Sequence, residues 1–186
     1  MPNKVNEKNS VDEHNDLAKI KAQCHQYPRT AIQLRRAFWK SKESLDINSK
    51  LAFYDAVSTC ESESFHNLTN MNFFIASLFA SQISFSDSRI TLPEYLCSVY
   101  NKASCSESQK RRIQKLLAIQ NKPDCRLLEM MAKFIKYANR EGKAIDEYHL
   151  YRSLRFWNAN YNRIPEQWAK TILYNKQEEN EVTTNE

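Results

Sequence analysis

A single glycine, Gly142, stands in 186 residues, where roughly 7% would be usual. Phosphate-cradling loops, GxGxxG turns and nucleophile elbows each need backbone that glycine alone adopts cheaply. Glycine-loop nucleotide-binding and hydrolase folds are therefore disfavoured. Five prolines and few turn dipeptides also speak against a chain of hairpins. With 41% hydrophobic residues the chain can still build a real core. The expected class is all-α: a compact bundle of about eight or nine helices, or the same helices in two small lobes.

Periodicity and caps place those helices. Residues 1–11 are polar and unpatterned and read as a mobile N-terminus; 12–176 reads as one all-helical domain and 177–186 as an acidic disordered tail. Leu17 and Ile20 lie at helical spacing in the stretch from Asp12 to about His25. Thr30 is the expected cap of a helix running to Lys40, and Asp46 or Asn48 of the next. The stretch 67–82 is the most apolar and predicts a central buried helix around Phe73, Phe74, Leu78 and Phe79. Thr91, Ser106, Asp124 and Asp146 mark four further helix starts, Gly142 a stop, and Pro165 the first turn of the last helix.

Charge is unevenly spread. The net is +5, but residues 1–16 carry −2 and 176–186 carry −3, so 17–175 carries +10. Of that, 100–175 holds +8. A basic second half suggests a polyanion partner, with a solvated basic surface as the plainer alternative.

Four basic faces follow from helical geometry. Arg111, Arg112 and Lys115 fall within about 100° of arc, opposite Ile113, Leu116 and Leu117; Lys110 adjoins them. Such a row suits phosphates, which exchange condensed counterions for it. Arg126, Lys133, Lys136 and Arg140 share a stripe that Glu129 interrupts and can partly neutralise through Lys133. Tyr148, Arg152 and Arg155 share another, where a tyrosine among arginines could stack a base or lie at a core edge. Arg35 and Arg36 flank Ile32 and Trp39, a pattern open to nucleic acid, to a protein partner, or to a core tryptophan.

Catalytic and metal readings find little. His14, His25, His66 and His149 show no ligand spacing, and adjacent Cys24 and His25 diverge on a helix. Asp146 and Glu147 are explained by capping and the helix dipole. Cys60 and Cys97 read as small buried hydrophobes. No catalytic residue, metal or cofactor is expected. Five cysteines without CxxC spacing or a preceding leader suggest reduced thiols in a cytoplasm, and no stretch approaches a membrane span.

The order of the pieces carries one resemblance. Ala31 and the segment Ile32 to Arg36 precede an aromatic-aliphatic helix at Phe53-Tyr54 and an apolar helix at 72–80. Lys110-Arg111-Arg112-Ile113 leads to Leu116-Leu117, then Leu127-Leu128 opens a basic helix. Ile145-Asp146 follows, with Leu150, Leu154 and Trp157 at helical spacing and a closing Gln167-Trp168-Ala169. This succession, covering roughly 29–175, resembles the small subunit of the type I-E CRISPR Cascade complex, the CasB family. The resemblance implies an all-α, non-enzymatic subunit present in two copies, beside the large and backbone subunits. Its basic surface would meet the guide RNA, the guide-paired target strand and the displaced DNA strand. It matches Arg35 and Arg36 to the family's early arginine pair, and Arg111 and Arg112 to its Arg-Arg-Ile run. The chain departs at Leu68 or Thr69, where the family has a basic residue, and in a longer loop before Asp146. Two rival readings from the residues alone are an all-α DNA-binding regulator and a helical adaptor.

Overall fold

A computed structural model describes residues 4–85, 89–119, 123–159 and 163–174, with side chains described between 13 and 173 of those spans. The described residues form ten α-helices, one 3-10 turn and two two-residue strands. The chain is all-α, as the glycine count predicts. It divides into two compact units, Met1–Ser86 and Asp87–Glu186.

Unit 1 holds α1 (Lys4–Gln26), α2 (Pro28–Ala37), α3 (Ile47–Val57), α4 (Glu63–His66) and α5 (Asn70–Ser81). The first helix starts at Lys4, not near Asp12. No glycine or proline interrupts 4–26, so a helix nucleated at Leu17 and Ile20 extends through the polar residues at little cost. The helix at 28–37 opens one turn-position earlier than Thr30 suggested: Pro28 sits at its start and Thr30 is buried. Of the two acceptors expected for the next helix, Asp46 caps it, accepting from the Ser49 amide at 2.8 Å. Thr69, not among the caps expected from sequence, accepts from the Asn72 amide at 3.0 Å at the start of α5. Every residue from Asn72 to Ala80 is buried, which is what a helix apolar all round requires. The rings of Phe38 and Phe74 lie 5.3 Å apart, and those of Phe53 and Phe73 6.2 Å apart. The one-turn α4 lacks room for a periodic signal; Asn72 holds it by donating to the Ser64 and Asn67 carbonyls at 2.7 and 2.9 Å.

Unit 2 holds β1 (Arg89–Ile90), α6 (Leu92–Tyr100), α7 (Glu107–Leu117), α8 (Cys125–Arg140), β2 (Ala144–Ile145), α9 (Glu147–Arg155) and α10 (Ile164–Tyr174). Thr91 with Glu94 and Ser106 with Gln109 form reciprocal capping boxes, each meeting two orphan amides. The two strands, too short to announce themselves in sequence, pair in parallel with Arg89 opposite Ala144. The Asp146 amide then donates to the Ile90 carbonyl at 2.8 Å, so the pairing leads straight into the α9 cap. Gly142, at φ +74°, ends α8 in the left-handed region that an L side chain resists. Trp157 donates its indole N–H to the Ile119 carbonyl at 2.7 Å and meets Trp168 edge-on at 5.1 Å. The tail 177–186 lies outside the described residues.

Candidate nucleic-acid interface

The geometry of α7 follows from its sequence. Ile113 and Leu116 are fully buried, which turns Arg111, Arg112 and Lys115 outward; all three are exposed. None of them has an ion-pair or hydrogen-bond partner among the described residues. Lys110, grouped with them in sequence, behaves differently. It is half-buried, pairs with Glu107 at 3.2 Å and stands 6.0 Å over the Tyr100 ring. Its ammonium is held above the usual lysine range, first by the Glu107 hydrogen bond and then by that carboxylate's charge. Lys110 therefore belongs to the packing of α6 on α7 more than to the open row.

On α8 the core side forms as expected, with Leu127, Leu128, Met131 and Ile135 buried. Arg126, Lys133 and Arg140 are exposed. Glu129 and Lys133 are both exposed and form no pair, so the expected neutralisation of that stripe is not made. Lys136 is half-buried, and burial, followed by the nearby Arg140 charge, pushes its pKa down. Arg140 lies 5.9 Å from the Tyr137 ring centre.

On α9, Arg152 and Arg155 are exposed, the latter 5.6 Å from the Phe156 ring. Tyr148 is half-buried, and burial comes first in pushing its phenol up, ahead of the Glu147 charge. It presents only part of its ring, which favours the core-edge alternative over a stacking platform. Arg35 and Arg36 are exposed on α2, in unit 1, whereas every other candidate belongs to unit 2.

One basic residue drops out of the surface count. Arg89 pairs with Glu147, whose side chain is 1% exposed. Asp146 caps α9, accepting from the His149 amide at 2.8 Å, and Glu147 stands in the first turn of that helix, as the capping and dipole reading expects; in addition it is a buried ion-pair partner. Nothing in the sequence signals a pair 58 positions apart. Among the described residues, no group of three or more His, Cys, Asp or Glu side chains could hold a metal ion, and no disulfide joins the five cysteines. Cys60 is buried, with its thiol pushed up to about 12 by desolvation, while Cys97 is only half-buried. No described helix is long and apolar enough to cross a membrane.

No family model matches the chain, and neither a curated protein nor a solved structure matches it.

Proposed function

We propose that this chain is a non-catalytic, sequence-indifferent nucleic-acid-binding subunit, the small subunit of a type I-E CRISPR surveillance complex in a prokaryotic cytoplasm. The observation that carries nucleic-acid binding is the α7 row: Arg111, Arg112 and Lys115, exposed together and without an acid to neutralise them. Cations held on a rigid helix read phosphate spacing and leave the bases unread. That is the chemistry needed where guide pairing supplies specificity and protein holds the opened strands. Assignment to the complex rests on the ordered set of motifs and on the all-helical architecture.

Titration of labelled single-stranded DNA at several salt concentrations tests the row. The triple variant Arg111→Glu, Arg112→Glu, Lys115→Glu should lose binding and lower the log–log salt slope by about 2, three contacts at about 0.7 each. Unchanged binding at low salt overturns the assignment. Purification of the tagged protein from its native cell, with sequencing of bound RNA, tests the complex. Repeat-spacer guide RNA with several helical and RNA-binding partners is expected. A single promoter region in place of guide RNA would establish the regulator instead.

A further inference from the structure

Large apolar side chains are exposed very unequally. Of the eight among the described residues, six belong to unit 1: Tyr27, Ile32, Trp39, Ile47, Leu51 and Tyr54. Three of these form a line on α3. Ile47, Leu51 and Tyr54, at positions i, i+4 and i+7, are 67%, 55% and 48% exposed and span about 60° of the helix surface. They lie opposite the buried side of the same helix, Ser49, Ala52, Phe53 and Ala56. So α3 is apolar on two sides, and among the described residues only one of them is buried.

The neighbouring helix supplies charge. On the outer face of α2, Ile32 sits between Arg35 on one side and Arg29 and Arg36 on the other, within about 120° of arc. Trp39, 51% exposed, extends that line just past the helix end. All three arginines are exposed and lack an ion-pair partner among the described residues, and α2 contains no acid. Helices α2 and α3 pack on each other. Lys40 bonds Asp46 at 3.8 Å where they join, and those two residues directly adjoin Trp39 and Ile47. The α2 line ends at Trp39 and the α3 line opens at Ile47, each one residue from the Lys40–Asp46 pair.

We propose that the α2–α3 face of unit 1 docks an acidic amphipathic helix of a protein partner. A helix laid along the face would bury its apolar stripe on Ile47, Leu51, Tyr54 and Trp39, the recognition mode of i, i+4, i+7 anchors. Its carboxylates would answer Arg29, Arg35 and Arg36. Nucleic acid has use for the arginines and the indole, but none for two isoleucines and a leucine. The face is therefore distinct in kind from the α7 row, and this inference does not depend on the Cascade reading.

The probe is a fluorescent peptide of about 18 residues, long enough to form a helix on binding, with leucines on one face and glutamates flanking them. Its controls are a scrambled peptide of the same composition and a version with lysines for the glutamates. Anisotropy with the full chain should show saturable binding of the acidic amphipathic peptide alone. Leu51→Glu, at an exposed position, should weaken it about tenfold or more, as removal of a central anchor does. The pair Arg35→Glu and Arg36→Glu should reverse the preference toward the lysine peptide, which a merely misfolded variant would not do. Equal binding of the scrambled peptide, or no binding, overturns the proposal. So does displacement of the peptide by single-stranded DNA, which would make the face a nucleic-acid site. Sedimentation gives one more outcome against it: a dimer of the unmodified protein that Leu51→Glu dissociates would assign the face to a second copy.

Discussion

Asp16 has no exposed surface, yet its carboxylate is held in full. One oxygen accepts the Glu61 amide and the other the Ser62 amide, each at 2.8 Å, and Lys19 stands 3.6 Å away. A side chain in the middle of α1 thereby fixes the turn into α4, 45 residues on. Asp16→Ala leaves two amides without an acceptor and should cost about 1–3 kcal/mol, read as a lower urea midpoint with the slope unchanged. The Arg89–Glu147 pair makes a sharper test. Removing one partner, as in Glu147→Ala, strands a charge that has 15% exposure on the arginine side and should cost about 3–5 kcal/mol. Replacing both by methionine should cost much less, because desolvating two charges offsets most of their attraction. A double-mutant cycle measures the difference. The ion pair would be shown to be unnecessary to the fold if Glu147→Ala alone were neutral.

Capping decides where the elements begin, and here the local code reads well. Asp46, Thr91, Ser106, Asp124 and Asp146 each accept from the amide three residues on. Glu94 completes the α6 box: it accepts the Thr91 amide and hydroxyl, both at 2.8 Å. Those bonds, the amide first, hold its carboxyl below the usual 4.5. A depressed folded-state value means the stabilisation is present above pH 4.5 and lost as pH falls through the lowered value. Glu94→Gln should therefore lower the melting temperature at neutral pH and converge on the unmodified protein in acid. A constant gap down to the acid end would show that the charge is not what the box uses. Helix ends that depend on longer-range contacts were less legible. Thr30 is a sound cap by composition, yet Pro28 starts α2 and Thr30 packs inside it.

For the whole molecule, the division into two units gives two surfaces of different chemistry. Unit 2 carries exposed cations with few exposed apolar groups, and unit 1 carries arginines beside an apolar line. The two binding activities should separate. Reversal of Arg111, Arg112 and Lys115 should remove single-stranded DNA binding and spare the acidic peptide, and Leu51→Glu should do the opposite. Circular dichroism is the check that both variants stay folded. Loss of both activities from either variant would mean that one shared surface does the binding.

Scarce glycine, helical periodicity and cap residues determined by themselves that this chain is all-α. They also placed most helix starts and turned Arg111, Arg112 and Lys115 outward together, because each is a local matter of backbone freedom and of 3.6 residues per turn. Local reading cannot weigh what packs against the second side of a helix. That is why the sequence offers the apolar residues of α3 without ranking them, while the fold buries Phe53 and Val57 and leaves Leu51 and Tyr54 exposed, and why Trp39 was open to either reading. It also cannot see pairings such as Asp16 with the α4 turn or Arg89 with Glu147. Those depend on which distant segments close around a buried charge, and only tertiary structure decided them.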